Sequence, residues 1–130
     1  MREVVVTSLV RELKDAINIP LSYILMGDPQ ITGANPKTIA QIADSVEILS
    51  YTSDPQRTHA RVSELLPTLQ NPNQLAVGLQ AYQPASPNAE TLCANLRAAR
   101  EQGVNKFAFY NYGIMPIVAL DWVRQAIHSA

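Results

Sequence analysis

Histidine, cysteine and charge are scarce in this chain, and each scarcity excludes a class of chemistry. Cys93 is the single cysteine, which excludes a disulfide framework and a thiolate metal site. The two histidines, His59 and His128, stand far apart and in no ligand-type spacing, so no metal site is expected. Charged residues make up 16% of the chain and the net charge is −1, with no basic patch, so nucleic acid is not an expected partner. No apolar run approaches the roughly 20 residues that span a bilayer, so no membrane partner is expected either. The opening stretch MREVVVTSLVRELKDAI lacks the apolar core and cleavage site of a signal peptide, and a cytoplasmic location is the expectation. Walker A, G-x-G-x-x-G and G-x-S-x-G sequences are all missing, and no cofactor is expected.

What remains is an apolar chain with a regular rhythm. Apolar residues make up 47% of 130 residues, enough for one domain with a real core, and no internal boundary is visible across residues 1–130. PLSYILMG (20–27), VEILSY (46–51), LAVGLQAY (75–82) and KFAFYNY (106–112) read as short apolar strands. Helical patterns lie between them. NPKTIAQIAD (35–44) opens with Asn35 as a cap and Pro36 behind it, and DPQRTHARVSELLPTLQ (54–70) opens on Asp54 and Pro55 in the same way. Val62, Leu65, Leu66 and Leu69 form its stripe, and Pro67 is expected to end it early. SPNAETLCANLRAAREQG (86–103) has Ser86 or Asn88 as cap, Leu92, Cys93, Leu96 and Ala99 on one face, and Gly103 at its end. A last helix begins at Pro116, with Trp122 anchoring it. The first segment reads as a helix through Val6, Val10, Leu13 and Ile17. The alternative is a strand over residues 3–7 followed by a helix capped by Thr7 or Ser8.

Strands separated by single helices mean a parallel α/β sheet with right-handed crossovers. Two arrangements fit: a run of βα units making half of a (β/α)8 barrel, or a five-stranded doubly wound, flavodoxin-like sheet if residues 3–7 form a strand. The strand faces favour the first. Central strands of a doubly wound sheet are apolar on both faces. Here Glu47, Gln80, Tyr82, Tyr110 and Tyr112 recur on one face, as a barrel interior near a site tolerates. Glu47 is expected to pair with Lys106 or an arginine on that face, since a buried carboxylate without a partner is costly.

LAVGLQAYQP, followed one helix later by ANLRAAREQGVNKFAFYNYG, resembles the last two βα units of glycoside-hydrolase-like (β/α)8 barrels. The resemblance covers about residues 74–127 by motif and residues 20–73 by pattern, and points to a poorly characterised branch. It implies that this chain corresponds to the C-terminal half of a barrel. A half-barrel has two open edges and an uncovered face, so self-association or pairing with a missing half is the expected partnership.

Ligands of parallel α/β proteins bind at the carboxyl ends of the strands. Tyr51, Gln80, Tyr82, Tyr110, Asn111 and Tyr112 fall there, and tyrosines that stack and hydrogen-bond suit a carbohydrate. Asp28 and Asp54 follow successive strands and are the candidate catalytic carboxylates of a glycoside cleavage. Both also sit at good helix-capping or turn positions. Retaining barrel hydrolases often carry a glutamate at the end of the penultimate strand, where this chain has Gln80, Tyr82 and Gln83. A non-catalytic small-ligand or interaction module of flavodoxin-like shape is the second functional reading.

Overall fold

A polar cap followed by proline starts three of the helices. In the computed structural model, which describes residues 1–129, Asp28 caps α2 (Pro29–Thr32), Asn35 caps α3 (Pro36–Ala40) and Asp54 caps α4 (Pro55–Leu65), using numbering that begins with α1 (Arg2–Ala16). Each cap side chain accepts a backbone N–H of the first turn, a group the helix itself leaves without a partner. Asn88, not Ser86, caps α5 (Ala89–Arg100), and Ser86 is buried. Pro67 acts as expected: α4 stops at Leu65 and residues 66–68 tighten into a 3₁₀ turn. The last helix, α6 (Val118–His128), starts two residues after Pro116, and Trp122 packs against the core.

The first segment is helical throughout. Val4, Val5 and Val6 lie inside α1, so β-branched propensity loses to amphipathic spacing, and Val10 is the position it buries. Thr7 and Ser8 are interior helix positions, not caps. The fifth strand that the doubly wound alternative requires is therefore absent among the described residues.

Four strands form one all-parallel sheet: β1 (Ser22–Leu25), β2 (Ser45–Leu49), β3 (Leu75–Gln80) and β4 (Lys106–Tyr110). Their spatial order is β1-β2-β3-β4, the order of the chain, with no reversal. Successive right-handed crossovers without a reversal put the connecting helices on one face of the sheet. Val46, Ile48, Val77 and Leu79 point to that face and join Val62, Leu92, Leu96 and Ala99 in the core. Burying a leucine or valine completely contributes about 1.5–3 kcal/mol each. The opposite face carries Ile24, Glu47, Ala76, Gly78, Gln80 and Tyr110. Ile24 is exposed there, and Ala76, Gln80 and Tyr110 are half-buried.

Two polar devices fix this layer. Asp44 sits between α3 and β2, where its Oδ2 accepts from the Lys14 ammonium at 2.5 Å and from the Leu21 backbone N–H at 2.6 Å. It thus ties α1 to the entry of β1, and those two donors hold its carboxyl below the usual 3.8. Deeper in, Ser50 Oγ and the Thr58 hydroxyl lie 2.8 Å apart, and Thr58 donates to Asn95 Oδ1 at 2.5 Å. Asn95 Nδ2 donates to the carbonyls of Thr52 and Thr91 at 3.1 and 3.0 Å. Ser50, Thr58 and Asn95 are all buried, so this network joins the end of β2 to α4 and α5 inside the core.

Candidate ligand site on the open sheet face

Glycine at position 78 makes room for the site. A β-carbon there would lie 2.8 Å from Glu47 Oε1, 2.8 Å from Leu49 Cδ2 and 3.1 Å from Tyr110 Cε2. Gly78 is therefore the floor over which a carboxylate from β2 and a phenol from β4 meet. The Tyr110 hydroxyl donates to Glu47 Oε1 at 2.9 Å. The Tyr51 ring tilts against the Tyr110 ring at 59° with centroids 5.6 Å apart, a favourable edge-type geometry.

Alternation explains the convergence. Residues 47, 49 and 51 share one face of β2 and its extension, 78 and 80 share it on β3, and 108 and 110 share it on β4. The register places Leu49 beside Gly78 and Gln80 beside Tyr110. Glu47 is left 9% exposed by this cover. The expected pairing of Glu47 with Lys106 does not form. Across the sheet, Glu47, Ala76 and Lys106 lie in one row, and Lys106 is exposed. Two strand spacings, roughly 10 Å, separate their backbones, and the phenol of Tyr110 takes the carboxylate instead.

The phenols carry the electrostatic signature. Tyr51 is pushed up to about 12, first by desolvation, then by its neighbours Tyr110, Glu47 and Tyr82. Tyr110 is also raised, by desolvation and by donating to Glu47. Both phenols stay protonated beside the carboxylate, and Tyr110 donates to it.

The other expected site residues divide clearly. Tyr82 is near enough to Tyr51 to act on it electrostatically, and Gln80 reaches the Gln83 carbonyl at 3.5 Å. Asn111 turns inward on its own loop, accepting the Gly113 N–H at 3.0 Å. Tyr112 is 79% exposed. The peptide bonds Gln83–Pro84 and Tyr110–Asn111 are cis. Asp28 Oδ1 accepts from Gln30 N at 2.8 Å and Asp54 Oδ1 from Gln56 N at 3.0 Å, so both carboxylates serve as helix caps.

Glu47 is the site residue that the pattern reading placed in a structural ion pair. The available signal was a lone charge inside an apolar strand, four positions before a tyrosine on the same face. Asn95 is the positioning residue that went unnoticed. It stands three residues after Leu92, on the apolar stripe of α5, where an amide needs a buried partner. Among the described residues, no group of three or more His, Cys, Asp or Glu side chains is placed to hold a metal ion.

A cleft of about 370 Å³ opens on the helix side of the sheet beside the ends of β1 and β2, lined by Leu25, Met26, Ile48, Arg61 and Leu65. It exists because α2 and α3 span only 4 and 5 residues and do not cover the sheet as a full helix does. Arg61 Nη1 already donates to the Leu49 carbonyl at 2.9 Å, and Glu47, Tyr51 and Tyr110 do not line this cleft.

Gly78→Ala separates fold from site. The two closest displaced atoms end flexible side chains, so the variant stays folded and loses roughly 1–3 kcal/mol. The Tyr110–Glu47 hydrogen bond breaks, and the near-ultraviolet circular dichroism of the tyrosines weakens while the far-ultraviolet spectrum holds. A tyrosine signal unchanged from the parent chain refutes this geometry.

No helix is long and apolar enough to cross a membrane among the described residues. No protein-family model, curated protein or solved structure matches this chain.

Proposed function

We propose that this chain is a carbohydrate-binding unit built as half of a (β/α)8-type barrel, resembling a glycoside hydrolase without independent hydrolytic activity. One observation carries this reading: Tyr51, Tyr110 and the Glu47 carboxylate converge on an uncovered sheet face, at or near the carboxyl ends of parallel strands. The phenol rings offer flat surfaces for a sugar ring, and Glu47 and Gln80 take its hydroxyls. Glycoside cleavage uses two carboxyl groups roughly 5–10 Å apart across the scissile bond. The open face contributes Glu47, and Asp28 and Asp54 are engaged as caps, which supports binding over catalysis by this chain.

The sheet order supports the half-barrel element of the proposal, since barrel strands follow one another without reversal. So do the flanks. Val4, Val5 and Leu9 on α1 and Leu120 and Ile127 on α6 are exposed apolar residues on the first and last helices. β1 and β4 each leave one edge unpaired. Two four-stranded halves make the eight strands of a small closed barrel, so the chain is expected to sediment as a dimer at equilibrium. A monomer at every concentration removes the pairing from the proposal.

Titration of the chain with neutral oligosaccharides of different linkage, followed by tyrosine fluorescence and calorimetry, tests the binding. Saturable binding of at least one is expected. Asp28→Asn and Asp54→Asn keep that binding, and their stability changes by less than about 0.5 kcal/mol, because asparagine caps a helix as well as aspartate. Absence of binding by every saccharide tried, neutral and amine-bearing alike, defeats the saccharide reading. A hydrolysis rate that vanishes in either variant restores the catalytic assignment.

A further inference from the structure

Glu47 is the one buried charged residue among the described residues. Its Oε1 accepts a single hydrogen bond, from a neutral phenol. The two ion pairs among the described residues, Lys14–Asp44 and Arg124–Asp121, lie elsewhere. Lys106 shares the open face but stays exposed, two strands away. A carboxylate nine-tenths withdrawn from water, hydrogen-bonded at one oxygen and ion-paired with no described side chain, favours a cationic group in a ligand that reaches the open face. The rings around it add to that demand, because the face of a phenol attracts positive charge. A neutral sugar hydroxyl supplies the hydrogen bond and leaves the charge unmatched.

We infer that the ligand of this face is a saccharide bearing a free, protonated amine, its ammonium paired with Glu47 and its ring lying against Tyr51 and Tyr110. The inference rests on the saccharide reading above and specifies its chemistry. The amine replaces the counter-charge that the protein does not supply. The neutral phenol of Tyr110 holds one carboxylate oxygen, Oε1, and the other is left for the ammonium.

Paired probes of one skeleton test this. The chain is titrated at about pH 6, where an amine of this class is largely protonated, with a glucosamine oligosaccharide and with the fully N-acetylated oligosaccharide of the same length. The amine form is expected to bind roughly tenfold to hundredfold more tightly, the range of a hydrogen bond between charged groups. That preference shrinks as salt is raised. Glu47→Gln, which keeps an acceptor for Tyr110, brings the ratio to about one. Should that variant fail to fold, the preference of the parent chain and its salt dependence still decide the matter. Equal or weaker binding of the amine form overturns the inference and leaves the saccharide reading standing. Binding of neither probe, together with none from the neutral set, removes both.

Discussion

Asn95→Ala lowers the unfolding free energy by about 3 kcal/mol, large against the roughly 5–15 kcal/mol of an ordinary domain. The side chain is buried and makes three hydrogen bonds, one accepted from Thr58 and two donated to the carbonyls of Thr52 and Thr91. Alanine leaves a cavity, a Thr58 hydroxyl reduced to its Ser50 partner and a Thr52 carbonyl without its donor, and an unsatisfied buried group costs about 1–3 kcal/mol. The melting temperature is expected to fall by roughly 10 °C, read by thermal or urea unfolding. The site suffers as well. Tyr51 stands between Ser50 and Thr52, both members of the network, so its ring loses its fixed contact with Tyr110. Asn95→Asp is no substitute, because it keeps the acceptor and loses both donated bonds. A loss below about 1 kcal/mol for Asn95→Ala means that water replaces the amide and the network is not what holds the β2 end.

Tyr110→Ala has the largest expected effect on binding. Tyr110 fills three roles at once: its ring lies over Gly78, its edge meets Tyr51 and its hydroxyl donates to Glu47. Removing it takes away the stacking surface and strips Glu47 of its donor, and affinity for a bound saccharide falls by about a hundredfold or more. Tyr110→Phe separates the roles. The ring remains and only the hydroxyl goes, so the loss is about tenfold. Calorimetric titration of the two variants beside the parent chain measures the split. Equal losses mean that the hydroxyl, not the ring, recognises the ligand. No loss in Tyr110→Ala places the ligand elsewhere and makes Tyr110 a lid over the sheet.

The elements themselves were legible because their signals are local. Asn35-Pro36 and Asp54-Pro55 satisfy the first free N–H groups of a helix, and Pro67 cannot continue one, wherever the chain folds. Alternation in LAVGLQ and KFAFY sets the helix-facing and open faces of β3 and β4. It also marked one face as too polar for a helix to cover, and Tyr51, Gln80, Tyr82 and Tyr110 as its residues. The first segment was harder, since Val4-Val5-Val6 satisfies a strand locally and only the spacing to Val10 and Leu13 favours a helix.

The sequence by itself determined that this is an α/β chain of alternating units with a polar, tyrosine-rich strand face. Those properties follow from periodicity and caps, which act over a few residues. Tertiary structure alone decided which groups meet. Glu47 is 63 positions from Tyr110 and Asn95 is 37 from Thr58, and nothing local ties either pair together. Parallel pairing in chain order sets β2 and β4 on either side of Gly78, and the missing β-carbon lets a phenol reach the carboxylate before Lys106 does. The same packing turned Asp28 and Asp54 into caps, because a helix start lay within reach of each carboxylate.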